Sequence, residues 1–271
     1  MIEREARRNV SVTISVLDEL LSGYRAPDCS ARGSVHSSIF RPNEGSLWCL
    51  RARLAPGSSL HWSGRQGDQV LYVLEGSLDA AGQNCGAGTA VVVEAGLHEA
   101  VRANTASYVV HFGTTALQNP NRNVGHRGLH VIEEAEMREP HGSLGNSRTR
   151  FFLDGTFASC PLALMLVDAS SQASSHKVGS HSHTEDEILY LLAGELQFGR
   201  SRILPGMCVA VPHGTLYGFT SPGSYKFLNF RGATSMSTFR GLPPILETVA
   251  GLADAYNNPQ VVEHLARHGT E

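Results

Sequence analysis

The feature that most constrains this chain is a repeat of itself. The stretch QVLYVLEGSLDAAGQNCGAGTAVVVEAG, residues 69–96, aligns without a gap on EILYLLAGELQFGRSRILPGMCVAVPHG, residues 187–214, at an offset of 118. Nine of the 28 positions are identical: Leu71, Tyr72, Leu74, Gly76, Leu78, Gly88, Val91, Val93 and Gly96 recur as Leu189, Tyr190, Leu192, Gly194, Leu196, Gly206, Val209, Val211 and Gly214. Most other apolar positions stay apolar. A unit this long is no solenoid repeat, so it implies two similar domains.

Within each copy the pattern is that of short strands. EILYLLAG is an apolar run of β-formers that stops at Gly, ELQFG alternates, and MCVAVP is a second short run closed by Pro. Such strands, punctuated by Gly and Pro, indicate an all-β chain of antiparallel barrels or jelly rolls. The charged fraction of 17% and the 28 glycines agree with many tight turns. The boundaries expected are an N-terminal helical or extended arm over 1–35, a first barrel over 36–115, a linker over 116–150, a second barrel over 151–240 and a helical tail over 241–271. Residues 114–150 are polar and turn-rich, with one short strand expected at GLHVIE. VLDELLSGY near the start reads as a helix with a Gly stop. PPILETVAGLADAYNNPQVVEHLARHG reads as two short helices broken near NNP, the second stopped at Gly269.

The net charge of −3 leaves no basic footprint for nucleic acid. Five cysteines with no C-x-x-C pair argue against a disulfide framework or a thiolate zinc site, and Cys49 and Cys208 sit in apolar runs as small buried hydrophobes. The first ten residues lack the apolar core of a signal peptide, and no run approaches the ~18 apolar residues of a membrane span. A soluble, cytoplasmic protein is expected.

Chemistry concentrates in HSHTEDE, residues 181–187. On a strand, His181 and His183 point to one face. Glu187 follows after a turn that would carry its carboxylate beside the imidazoles. Two His and one carboxylate with open positions suit Fe(II), and also Mn, Ni, Co or Zn. Glu185 and Asp186 read as solvated turn acids.

GSHSHTEDEILYLLAG resembles the first cupin motif, H-x-H, three residues, Glu, six residues, Gly. PGMCVAVPHGTLYGF resembles the second. With the repeat, the chain is similar to a bicupin over roughly residues 45–115 and 160–235. The resemblance implies two jelly-roll barrels, with a metal on the inner wall of the second held by His181, His183 and Glu187. The family's fourth ligand, a His, is replaced by Tyr217. Tyr217 is left as a ligand, as a pocket hydroxyl aimed at substrate or oxygen, or as an ordinary aromatic. His213 in the same turn is a reserve ligand, and His176 could reach the pocket mouth.

The first copy has Ser63, Arg65, Gln69 and Glu99 at the ligand offsets, which makes no metal site because Arg has no lone pair to donate. His61 and His98 lie slightly off register and could form a vestigial site with Gln69; otherwise the domain is structural, with Trp62 packing or at a rim. The function expected is a metal-dependent enzyme on a small organic substrate, foremost an Fe(II) dioxygenase. An isomerase, lyase or cyclase using Tyr217 in proton transfer, and a non-catalytic binding protein, stand as alternatives. A homodimer is expected, with no nucleic-acid or membrane partner.

Overall fold

The computed structural model describes residues 12–17, 20–42, 46–114, 128–141, 147–157, 159–169 and 175–268. The described strands form four antiparallel sheets, two for each barrel. In the first barrel a seven-stranded sheet runs in the order Leu129–Ile132, Ala90–Val93, Gln69–Glu75, Ser107–Thr114, Leu47–Leu54, Val35–Phe40, Leu21–Ser22. Five strands face it: Cys29–Arg32, Ser59–Trp62, Ala100–Ala103, Ser77–Ala80 and Gln83–Gly86. In the second barrel the order is Thr13–Val16, Met207–Val211, Glu187–Gly194, Tyr225–Arg231, Ala163–Asp168, Arg148–Asp154. The facing sheet is Ser201–Ile203, Leu196–Phe198, Tyr217–Ser221, His176–His183, Met236–Phe239, Ile245–Leu246.

The repeat seen in the sequence is also a repeat of pairing. Gln69 pairs with Gly113 on one side and Val93 on the other. Glu187 pairs with Arg231 and Val211, each 118 residues later. These strands are apolar throughout because both faces are buried. Leu71 and Val73 point into the first barrel while Val70 and Tyr72 point at the second. Leu189 and Leu191 likewise point inward, and Ile188 and Tyr190 point back at the first barrel. The shared core between the barrels includes Phe112 stacked on Phe230 at 5.1 Å and the buried pair Cys49 and Cys208, with sulfurs 3.6 Å apart. All five cysteines are buried and outside any disulfide.

The N-terminal helix is not there. Thr13–Val16 is a strand paired to Met207–Val211, and Leu21–Ser22 pairs with Val35–Phe40; residues 18–19 of the expected helix lie outside the described ones. A nine-residue helix is marginal alone. The open edge of Met207–Val211 offers ladder bonds and a place for Leu17, which is buried. The strand within GLHVIE, Leu129–Ile132, pairs back onto Ala90–Val93 of the first barrel. Each barrel is thus edged by the strand that precedes the other.

The two C-terminal helices are present as Val249–Tyr256 and Pro259–His268. Thr248 caps the first, its hydroxyl accepting from Gly251 N at 3.1 Å, and Asn258 Oδ1 accepts from Gln260 N at 3.0 Å at the start of the second. Pro259 opens that second helix, a position where no N–H is needed. The stop at Gly269 lies outside the described residues. Leu252, Ala255 and Val261 pack with Phe151, Met165 and Ile245, which seats the tail on the open end of the second barrel.

Candidate functional site

The strand His176–His183 carries His181 and His183 on its inward face, each 6% exposed, with Ser182 between them. Gly179 O accepts from His181 Nδ1 at 2.8 Å. The turn that follows is pinned at both ends. Thr184 N donates to Met236 O at 3.0 Å, and Asp186 accepts from Ser46 N at 3.0 Å and from His213 N at 2.9 Å. The chain re-enters the barrel at Glu187, whose Oε1 comes to 3.6 Å from His183 Nε2.

Glu187 is buried and ionised. Burial works to raise its pKa, but His183 and Arg231 outweigh it and hold the carboxyl below the ordinary value. Its Oε2 accepts from Asn229 Nδ2 at 2.8 Å and from Arg231 Nη2 at 3.0 Å. Its Oε1 is buried, and the Tyr217 hydroxyl beside the carboxylate helps to hold its charge. Arg231, 2% exposed, also pairs with Glu247, through Nη1 to Oε2 and through Nη2 to Oε1 at 3.3 Å. Glu247 comes from the tail. Burial opposes its charge, yet Arg231 and His183 bring its pKa down to about 2. Glu247 Oε2 in turn accepts from His183 Nδ1 at 2.8 Å.

These contacts fix the histidine tautomers. A backbone carbonyl and an ionised carboxylate can only accept, so Nδ1 carries the proton on both rings. In the neutral rings both Nε2 atoms are left with lone pairs. His181 is neutral at pH 7, since burial lowers its pKa to about 4.

Tyr217, opposite His181 in the strand register, turns its hydroxyl to His183 Nε2 at 3.1 Å. Burial and the Glu187 carboxylate push this phenol well above its ordinary value, so it stays protonated in the metal-free chain. Phe239 stacks on His181 with centroids 5.0 Å apart. The histidines, Tyr217, Asn229, Arg231 and Glu247 line a cavity of about 170 Å³, walled by Phe219, Tyr225, Phe227, Phe239 and Tyr256.

Three polar partners seen here, an amide, a guanidinium and a carboxylate, were not read from the sequence. Asn229 and Arg231 sit at alternate positions of an apolar strand, and that spacing of polar groups was the available signal. Glu247 is 64 residues from His183 and carried no local signal. Two reserve residues are elsewhere. His213 is exposed and bonds Asp186 through Nδ1 at 2.9 Å, and His176 is half-buried beside Tyr225 outside the cavity lining. Asp186, read as a solvated acid, is a structural acceptor. Among the described residues, no group of three or more His, Cys, Asp or Glu is gathered tightly enough to hold an ion as it stands.

The first barrel places different side chains at the matching positions. Trp62 N donates to Glu99 O at 2.9 Å, so Trp62, rather than Ser63, holds the place of His181. Its indole N–H donates to Gln69 Oε1 at 2.7 Å, and Gln69 Nε2 donates to Pro27 O at 3.1 Å. Strand alternation turns His61 away from Gln69, and His61 bonds Ser59 instead at 2.7 Å. His98 is exposed. The vestigial site of His61, Gln69 and His98 is therefore not assembled.

No protein-family model and no curated protein sequence matches the chain. Solved structures do. A Pseudomonas aeruginosa protein described as glyoxylate-induced superposes with a TM-score of 0.62 at 15% identity, over 85% of this chain and 90% of that one. The fold is that of a bicupin. A Bacillus subtilis oxalate decarboxylase variant gives 0.61 at 15% identity, over 85% and 81%. The Escherichia coli protein YlbA gives 0.61 at 12% identity, over 84% and 93%. At these identities the likeness to these proteins is one of fold.

Proposed function

We propose that the second barrel of this bicupin is a metal-dependent active site for a small oxygen-bearing substrate, working by Lewis-acid and proton-transfer chemistry rather than by oxygen insertion. The observation that carries the reading is the donor set. His181 and His183 both give Nδ1 to an acceptor and leave Nε2 to the cavity, and the buried Glu187 carboxylate lies beside His183 Nε2 and the Tyr217 hydroxyl. Glu187 and Glu247 share one guanidinium, that of Arg231, so two buried carboxylates face the cavity region with a single arginine between them. These residues fit a divalent transition metal, with His181, His183 and Glu187 as its holders. Oxalate decarboxylase of Bacillus subtilis, similar in fold, is described with Mn(II) centres, which makes Mn(II) the first ion to try.

When bound, such an ion would polarise a carbonyl or carboxyl oxygen. The chain supplies the rest. Tyr217, protonated and buried, can give a proton to substrate once its hydroxyl leaves His183. Arg231 holds both carboxylates ionised. The aromatic walls exclude water and offer a flat apolar surface. A protonated phenol at the position of the fourth ligand supports an isomerase, lyase or related reading above the Fe(II) dioxygenase expected from the sequence.

The test is carried out under argon. The Mn(II)-loaded protein is incubated in D2O with a panel of small carbonyl and hydroxy-acid compounds and followed by proton NMR. Deuterium incorporation or bond cleavage is expected from the native protein and is lost in Tyr217→Phe. Turnover that requires and consumes dioxygen would overturn this reading in favour of the dioxygenase.

A further inference from the structure

We infer that Glu247 is a positioning residue through which the C-terminal tail completes the site of the second barrel. The two histidines present the same tautomer by different means. His181 is held by the carbonyl of Gly179 on its own strand. At Nδ1, His183 is held by Glu247, from a segment that the tail carries back across the barrel end. Ile245–Leu246 pairs with Met236–Phe239 immediately before Glu247, and Thr248 caps the first tail helix immediately after it. Asp154 Oδ2 takes the helix's Val249 N at 3.3 Å. The Glu247 backbone is thus fixed on both sides, and its N donates to Ser235 O at 2.9 Å.

The side chain is fixed as firmly. Arg231 reaches both of its oxygens and also reaches Glu187, so one buried guanidinium sets two carboxylates. With Glu247 ionised, His183 keeps its proton on Nδ1 and its Nε2 lone pair in the cavity. Without Glu247 the Nδ1 proton loses its acceptor, and the Tyr217 hydroxyl at Nε2, which can accept as well as donate, does not replace it. The ring could place its proton on Nε2 toward Glu187 Oε1, 3.6 Å away, and lose the lone pair that the proposed metal needs. A carboxylate behind a ligating imidazole typically changes metal affinity by about 10–100-fold. The affinity part of this inference rests on the metal reading; the tautomer part does not.

The metal-free full-length protein, labelled with 15N at histidine, is examined by long-range proton–nitrogen NMR. Recorded at a pH where both rings are neutral, native His181 and His183 are expected to be protonated at Nδ1. In Glu247→Ala, His183 is expected to move toward the Nε2–H form while His181 stays as it was. Glu247→Gln, whose amide oxygen can still accept, is expected to keep most of the native form. Mn(II) affinity by competition with a chelator is expected to fall about 10–100-fold in Glu247→Ala and less in Glu247→Gln. A role in tail docking alone would lower the melting temperature and leave the tautomer and the affinity of the folded protein unchanged. Native His183 protonated at Nε2, or an unchanged His183 in Glu247→Ala, overturns the inference. Should Glu247→Ala not fold, the native tautomer and Glu247→Gln still decide it. A tautomer change in a protein that takes up no Mn(II) would remove the proposed function and leave the positioning role standing.

Discussion

In the first barrel the indole of Trp62 lies at the register position of His181, and Trp48 lies against Gly113, the counterpart of Arg231. His111, the counterpart of Asn229, is fully buried among Tyr24, Trp48 and Trp62, with Tyr24 Oη 2.5 Å from its Nδ1. The same positions in the second barrel hold an imidazole, a guanidinium and an amide around a cavity. The strands that carry Gln69 and Gly113 keep the register of those that carry Glu187 and Arg231, so the fold does not choose between a packed core and a site. Side-chain volume and charge choose. Large rings fill one barrel, and ionisable groups that need partners keep the other open.

The largest expected contrast is in metal uptake. His183→Ala or Glu187→Gln removes a proposed donor, and the loss should exceed the about 10–100-fold of an outer-shell change. Gln69→Leu, at the matching position of the first barrel, should leave uptake unchanged. Elemental analysis after loading and desalting checks both, and uptake lost in Gln69→Leu would reverse the roles of the barrels.

Packing gives the next contrast. Trp62→Ala is expected to cost about 3–5 kcal/mol in denaturant unfolding, as a large core side chain does. His181→Ala should cost less, because its ring already borders a cavity. Equal losses would mean that the two interiors are equally packed.

Acid should then act through the first barrel. Burial lowers His111 to about 3 from an ordinary 6.5. The unfolded chain therefore takes up a proton below about pH 6.5 that the folded chain refuses until about pH 3. Stability falls across that window as pH drops, by at most about 1.4 kcal/mol per unit. His111→Asn, which copies the second barrel, should flatten this slope in urea unfolding at pH 7 and pH 4.5. An unchanged slope would assign the acid sensitivity elsewhere. Smallest of all, Tyr217→Phe should cost about 1 kcal/mol, a single hydrogen bond, and retain the metal.

Much of this was legible in the sequence because strands that are buried on both faces write unbroken apolar runs, and the glycines that end them recur at the same offset. The grouping of His181, His183 and Glu187 was legible because the three fall within seven residues. Arg231 and Glu247 were not, since their partners lie 44 and 64 residues away and only the closed barrel brings them together. The displaced counterpart of His181 was hidden by an alignment that ran without a gap while the strand pairing shifted by one residue, to Trp62. The N-terminal arm misled because its helical spacing is local, while its actual partner, Met207–Val211, is some 190 residues away.

The central claim is that identical frames were given unlike interiors and that only the second holds a metal. Crystals of the full-length protein loaded with Mn(II), measured by anomalous scattering, address it most directly. One peak per chain is expected within about 2.0–2.3 Å of His181 Nε2, His183 Nε2 and Glu187 Oε1, with none in the first barrel. A peak in the first barrel, or a loaded crystal with no peak between those three atoms, would contradict it.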